Sequence, residues 1–242
     1  MMNAGCLVVI PARGGSKRMP RKNIRLFLGA PIISYSIKAA LNAHCFDEVM
    51  VSTDDQEIAE VAQHAGAQVP FFRSEQCSND YSGIANVLEE VVLAYQKQGK
   101  FFDVICCILA TAPFIKPERL KVAYELMQQS AVDAVVPVVN FGYPIQRSVK
   151  INNNYLEMFW PENYNVRSQD LEPAYHDVGQ FYFIKTDVLL REKKLYVQRA
   201  VPLILPELEV QDIDNEQDWQ VAELKYKILQ QMNSEKYHEI SL

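Results

Sequence analysis

Apolar and polar positions follow one another along this chain in blocks. Leu7, Val8, Val9 and Ile10 are four aliphatic residues in a row, residues 104–109 are six consecutive apolar residues after Asp103, and residues 134–139 form a third such run. Runs of this kind predict strands of a parallel sheet covered on both faces, where no alternation is needed. Residues 48–52 and 69–72 predict two shorter strands. The stretches between them carry helical spacing. Residues 31–45 set Ile33, Ile37, Ala40 and Leu41 on one face, and residues 56–65 close at Gly66. Residues 84–95 and 117–129 continue the series, and the prolines that open 31–45 and 117–129 suit a first helical turn. Strand and helix taking turns predict an α/β fold: a Rossmann-like, mainly parallel sheet flanked by helices, with ligand contacts at the carboxyl ends of its strands.

From Asn140 onward the pattern loosens. Residues 148–151 and 155–159 flank the turn Asn152-Asn153-Asn154 and predict a hairpin, and residues 160–173 form a polar, aromatic-rich loop. An inserted hairpin and long loop point to an interface or a binding site, with an exposed aromatic loop as the plainer alternative. Further strands are expected over 178–184 and 201–205 and a short helix over 187–193. A last helix over 220–232 would carry Val221, Leu224, Ile228 and Leu229 on one face. The chain thus reads as a single domain over residues 1–242, with an excursion at about 140–175.

Composition narrows the function classes. With 49% hydrophobic residues, 242 residues suffice for a real core. A formal charge of -6 argues against general nucleic-acid binding, which needs a broad basic face. No apolar run approaches membrane-spanning length and no leader pattern opens the chain, so a soluble, cytoplasmic protein without membrane contact is expected. Cys6, Cys45, Cys77, Cys106 and Cys107 are odd in number and lack Cys-x-x-Cys spacing. They read as small buried hydrophobes of a reducing compartment.

The chemistry concentrates after the first strand, in Pro11-Ala12-Arg13-Gly14-Gly15-Ser16-Lys17-Arg18-Met19-Pro20-Arg21-Lys22-Asn23. Glycines let backbone amides converge on oxygens, and the five cations supply charge, so the loop predicts a nucleotide or polyphosphate site. A solvated basic turn is the bland alternative. The spacing is neither that of a Walker A loop nor that of a dinucleotide fingerprint. Pro20 precedes any helical pattern, which predicts an extended loop wrapping a triphosphate from the side. Near the other end, Asp212-Ile213-Asp214 in an extended segment would point both carboxylates to one side and Ile213 into the core. Such a pair beside the basic loop suits Mg²⁺; otherwise Asp214 caps the following helix and Asp212 is solvated. On position alone Asp54 reads as a helix cap, and Arg73 and Asp80 as surface-loop residues.

The run from Ile10 to Asn23 resembles the signature of the CMP-sialic acid synthetase (acylneuraminate cytidylyltransferase) family, and the similarity extends over most of the chain. Arg167, Ser168, Gln169 and Asp170, followed by Tyr175-His176-Asp177-Val178-Gly179-Gln180-Phe181-Tyr182, resemble its pseudaminic acid branch. The resemblance implies a fold of the nucleotide-diphospho-sugar transferase type, CTP and a nine-carbon keto sugar acid as substrates, and Mg²⁺ as cofactor. It also implies a homodimer in which the excursion reaches the partner subunit and helps form the sugar pocket.

Residue by residue, the resemblance implies nucleotide contacts for Ala12, Arg13, Gly14, Gly15, Lys17, Lys22, Asn23, Arg73, Asp80 and Thr111. Lys17 and Arg21 are weaker triphosphate candidates. Ser52, Thr53 and Asp54 would line the nucleotide side of the cleft. Leu109-Ala110 departs from the family's usual Gln-Pro and removes an amide there. Asp212 and Asp214, with Asp218-Trp219 after them, match the metal motif, and Arg13, Lys22, Asp212 and Asp214 are the implied catalytic set. Arg167 is a candidate for the sugar carboxylate, which a guanidinium fork fits bidentately, and Gln169, His176, Asp177 and Gln180 for hydroxyl or acylamido groups.

Overall fold

The computed structural model describes residues 5–16, 18–78 and 83–239, with side chains to residue 232. Strand β1 (Cys6–Pro11) runs into the basic loop, which ends in a 3-10 turn at Lys22–Ile24 and a small ribbon of β2 (Leu26–Phe27) and β3 (Ala30–Pro31). Then come α1 (Ile33–Ala43), β4 (Glu48–Ser52), α2 (Gln56–His64), the short α3 (Glu75–Ser78), α4 (Ile84–Lys97), β5 (Val104–Ile108), α5 (Pro117–Met127) and β6 (Ala134–Asn140). The hairpin β7 (Val149–Asn152) and β8 (Tyr155–Met158) follows. After it the chain forms β9 (Tyr175–Asp177), β10 (Phe181–Lys185), α6 (Thr186–Glu192), β11 (Ala200–Ile204) and α7 (Glu216–Glu239).

The main sheet has the order β11-β6-β10-β5-β1-β4, with β9 also pairing β6. β1 is parallel to both β4 and β5, and β11 is parallel to β6, while β10 runs antiparallel between β5 and β6. Residues alternate between two cores. Cys6, Val8 and Ile10 of β1 pack with Ile33 and Ile37 of α1, Ile58 of α2 and Leu120 of α5, whereas Leu7 and Val9 meet Leu88 and Val91 of α4 and Leu189 of α6. A strand buried on both sides needs apolar residues at every position, which is why the run Leu7 to Ile10 is continuous.

A third, smaller cluster positions the site. Met19, Phe27 and Ile32, around the basic loop and its ribbon, pack with Phe114, with Ile213, and with Trp219 and Ala222 of α7. Phe27 meets the Trp219 ring edge-on at 5.6 Å, and the Arg25 guanidinium, paired with Glu216, lies over the indole at 4.4 Å from its centroid. Apolar burial of this kind contributes about 1.5–3 kcal/mol per large side chain. It brings the start of the chain against residues about two hundred positions later.

Four expectations are corrected. Pro31 belongs to β3, because Ile32 N–H is taken by the Arg25 carbonyl, and α1 begins only at Ile33. Residues 69–72 form no strand; pairing stops after an isolated bridge between Met50 and Gln68, and the chain turns away to bring Arg73 N–H to the Thr53 carbonyl. Residues 212–214 are not in a strand, although Ile213 is fully buried as expected. On α7 the inward face holds Trp219, Ala222, Tyr226 and Leu229, so Val221, Leu224 and Ile228 are turned outward.

Candidate active site

The connection from β1 leads to β4 on one side, whereas β5 lies on the other, so the loops after β1 and β5 diverge and leave a cleft at the carboxyl ends of the strands. The cleft has a volume of about 510 Å³, within the range of ligand pockets. Arg13, Ser16, Arg18, Lys22, Asn23 and Asp214 supply its polar walls; Ile84, Val87, Leu109 and Ala110 supply apolar ones, with Arg73, Cys77 and Thr111 between. Among the expected nucleotide residues, Arg13, Lys22, Asn23, Arg73 and Thr111 therefore meet around one space. Lys17 and Asp80 lie outside the described residues.

The basic loop is held by acids of the β4–α2 turn. Gly14 N–H donates to Asp54 Oδ1 at 2.9 Å, and Arg21 grips Asp55 through two hydrogen bonds of 2.5 and 3.1 Å and also bonds Glu57. Arg21 holds the Asp55 carboxyl below its ordinary pKa, chiefly by this hydrogen bonding. Arg21 is thus an anchor of the loop and is turned from a triphosphate. Asp55, not Asp54, caps α2 by accepting from Ile58 N–H at 3.0 Å. Ala12 is fully buried beneath the loop, where its N–H bonds the Ser52 carbonyl at 2.9 Å, and Gly15 has open space around its Cα. Asn23 braces the loop through its side-chain amide, which donates to the Arg13 carbonyl at 2.9 Å.

Ser52 and Thr53 are buried and do not line the cleft. Instead Ser52 receives Arg73, whose Nε donates to its hydroxyl at 3.1 Å and whose Nη2 donates to its carbonyl at 2.5 Å. Arg73 is 8% exposed, and burial lowers its pKa from the usual value. It is consequently no surface-loop residue.

Opposite the loop stands the acidic segment. Asn215 caps α7 by accepting from Asp218 N–H at 3.0 Å, while Asp218 Oδ2 accepts from the N–H groups of Asp214 and Asn215 at 2.9 and 3.0 Å. This reciprocal cap leaves the Asp214 carboxylate available to the cleft, so the capping alternative for Asp214 does not hold. Arg18 reaches Asp214 Oδ2 at 2.8 Å, and Lys22 lies 3.7 Å from Oδ1 while donating to the Ile213 carbonyl. Burial lowers the Lys22 pKa, against the pull of Asp214 and Asp212. Asp212 has the reverse shift: desolvation and then the charge of Asp214 raise its pKa. Asp214 lines the cleft and Asp212, two residues before it, does not; carboxylate oxygens beside an anion-binding loop are donors of the kind that fits a hard cation such as Mg²⁺. Among the described residues no group of three or more His, Cys, Asp or Glu side chains gathers as a metal site, so any further ligands would come from substrate or water.

Comparison with known proteins bears on this geometry. The family model described as "Cytidylyltransferase" matches residues 7–238. The chain belongs to the cytidylyltransferase family. It is 45% identical over 223 residues to the pseudaminic acid cytidylyltransferase of Campylobacter jejuni, covering 92% of this chain and 96% of that one. It is also 36% identical to the CMP-N,N'-diacetyllegionaminic acid synthase of Legionella pneumophila, covering 90% and 94%. Its fold is similar to that of a CMP:2-keto-3-deoxy-manno-octonic acid synthetase complexed with CTP, with a TM-score of 0.67, 20% identity, and coverage of 94% and 100%.

In this member of the cytidylyltransferase family the residues expected around the sugar acid are not gathered at the cleft. Arg167 is exposed and pairs with Asp170 at 2.7 Å inside its own 3-10 turn, which also carries the exposed Gln169. His176 packs against Phe141 at 4.7 Å between ring centroids. Asp177 is occupied by the Tyr182 hydroxyl at 2.7 Å and by Gly179 N–H at 2.9 Å. Gln180 is buried, 1% exposed, and its amide donates to the Glu209 carbonyl at 2.6 Å, so it faces the core where no sugar reaches. The cleft in turn holds members outside the expected set: Arg18, already visible as a loop cation; Cys77; and Ile84 and Val87, whose helical pattern gave no sign that one end borders the cleft.

Proposed function

We propose that this protein transfers CMP from CTP to the anomeric oxygen of pseudaminic acid, releasing pyrophosphate. The observation that carries the choice of sugar is the 45% identity, across nearly the whole of both chains, to a pseudaminic acid cytidylyltransferase. The cleft supports the nucleotide half of the reading: apolar Ile84, Val87 and Leu109 suit a base, and Arg13 and Lys22 suit phosphates.

In the proposed reaction the anomeric hydroxyl oxygen gives up its proton, ultimately to solvent, and forms a bond to the α-phosphorus as the bond from that phosphorus to the oxygen bridging to the β-phosphate breaks. Arg13 and Lys22 hold the charge that gathers on the departing pyrophosphate, and the loop anchored by Asp54 and Asp55 is in place before substrate arrives, so little reorganisation is needed. Asp212 and Asp214 are the residues that would hold Mg²⁺, which when bound offsets charge on the phosphoryl oxygens. We take the protein to act as a single domain that dimerises through the hairpin, whose Ile151, Tyr155 and Leu156 are exposed. A cytoplasmic setting accords with its five free cysteines, and among the described residues no helix is long and apolar enough to cross a membrane.

The test is pyrophosphate release with CTP, Mg²⁺ and, separately, pseudaminic acid, N-acetylneuraminic acid and N,N'-diacetyllegionaminic acid. Pseudaminic acid should give the highest kcat/KM, by about 10²-fold, a ratio within reach of one or two unpaired polar contacts. Preference for another acid overturns the sugar assignment, and no release with any acid overturns the reaction.

A further inference from the structure

We infer that Gln180 is a positioning residue for the acidic segment, acting through the Glu209 carbonyl to fix where Asp212 and Asp214 stand. The inference rests on the reading of those two carboxylates as metal holders.

Residues 209–214 have no strand ladder to hold them, yet they must present carboxylates in a fixed place. Four of their carbonyls are held by side chains: Glu209 by Gln180, Val210 by Lys225 at 2.9 Å, Asp212 by its neighbour Gln211 at 2.9 Å, and Ile213 by Lys22. Lys22 and Lys225 hold theirs at the end of long side chains with many rotamers. Gln180 is a buried amide immediately before β10, and its backbone carbonyl accepts from Leu109 N–H at 2.8 Å. One residue therefore ties the apolar wall of the cleft to the start of the acidic segment.

Its neighbour completes the brace. Gly179 adopts a φ of +61°, a left-handed conformation that suits glycine, in the interruption between β9 and β10. That turn brings the backbone beside Asp212, close enough that a Cβ on Gly179 would stand 3.6 Å from Asp212 Cγ. Residues 179 and 180 thus touch the acidic segment at both Asp212 and Glu209. The Glu209 side chain adds a second fastening, being buried and bonded to Lys116 at 2.8 Å and to Arg119 at 3.0 and 3.2 Å. A buried amide costs free energy unless it is bonded, and packing alone would be served by leucine or methionine at that site.

The experiment is a titration of Mn²⁺ with the CTP-bound protein, read by the electron paramagnetic resonance of free Mn²⁺, beside pyrophosphate-release kinetics. Gln180→Met keeps the volume and removes the donor; Gln180→Asn, a methylene short of the carbonyl, is the second variant should the first not fold. Either should weaken Mn²⁺ binding about tenfold, the scale seen when the residues that orient metal ligands are lost, and raise the Mg²⁺ requirement to match. KM for CTP and for the sugar acid at saturating Mg²⁺ should stay within about twofold. Thr186→Val removes a buried bond to the Phe102 carbonyl at the far end of β5 and should leave Mn²⁺ binding unchanged, which separates positioning from general loosening.

Asp212→Asn is the reference arm. Weakened Mn²⁺ binding there but normal binding in the Gln180 variants overturns the inference alone, as does a raised sugar KM with normal Mn²⁺ affinity. Unchanged binding in Asp212→Asn removes the metal reading and the inference with it.

Discussion

Arg18 Nη1 lies 2.8 Å from Asp214 Oδ2, closing a salt bridge between the basic loop and the acidic segment across the mouth of the cleft. On the proposed function Asp214 would hold the metal and Arg18 would face the triphosphate, so the pair would have to part for both to bind. Arg18→Ala should therefore lower the Mg²⁺ concentration needed for half-maximal pyrophosphate release. Because the Arg18 side chain is 73% exposed, Tm should barely change, in keeping with the ~0–1 kcal/mol of exposed ion pairs. A higher Mg²⁺ requirement in this variant would show that Arg18 assists the site and does not compete for Asp214.

Gly14 and Gly15 should behave oppositely on substitution. A Cβ on Gly14 would stand 2.7 Å from Asp55 Oδ2, and Asp55 cannot yield, since it is held by Arg21 and caps α2. Around Gly15 a Cβ meets nothing within 4 Å. Gly14→Ala is expected to displace the loop and cut kcat/KM for CTP by about 10-fold or more, because misplaced catalytic groups lose much of their effect. Gly15→Ala should stay close to wild type in the same assay. Equal losses would mean that the anchoring by Asp55 is not what shapes the loop.

Asp212 makes stability depend on pH in a direction opposite to that of an ordinary paired carboxylate. Its pKa is raised above 3.8 by folding, so between 3.8 and the raised value the native chain keeps a proton that the unfolded chain has released. Stability then falls as pH rises through that window, and the penalty is full above it. Without divalent metal, Asp212→Asn should melt at a higher temperature than wild type at pH 7, with the gap closing as pH falls through the raised pKa toward 3.8. A lower Tm for the variant at pH 7 would contradict the shift.

The hairpin should govern self-association. Ile151, Tyr155 and Leu156 are each more than two-thirds exposed, an expanse of apolar surface that a lone chain would leave in water. Light scattering should give twice the 27.7 kDa chain mass for the wild type, and the chain mass for Ile151→Asp combined with Leu156→Asp. A monomeric wild type at micromolar concentration would remove the dimer.

The parts most legible in sequence were those fixed by local rules. Leu7 to Ile10 and residues 104–109 announced sandwiched strands because every position is buried, and the glycines and cations after β1 announced an anion site. What stayed illegible depended on partners distant in sequence. Nothing local distinguishes Asp54 from Asp55 as a cap, yet Gly14 claims one and Ile58 the other. Gln180 and Asp177 carry polar side chains that sugar recognition also uses, and only the fold shows them bonded to Glu209 and Tyr182. On α7 the aromatic Trp219 and Tyr226 set the inward face together with Leu229, and the aliphatic Val221, Leu224 and Ile228 are left outward.

The contact of Lys22 with Ile213 and Asp214 spans 191 residues and more. Synthesis proceeds from the amino end, so the basic loop leaves the ribosome long before the acidic segment exists. Through most of its own translation the nascent chain therefore exposes a cationic loop, steadied by Asp54 and Asp55 soon after they emerge, without the carboxylates that face it in the finished fold. The cleft becomes two-sided only when Ile213 and, on α7, Trp219 pack into one cluster with Phe27, a contact that the chain cannot make until both have been synthesised.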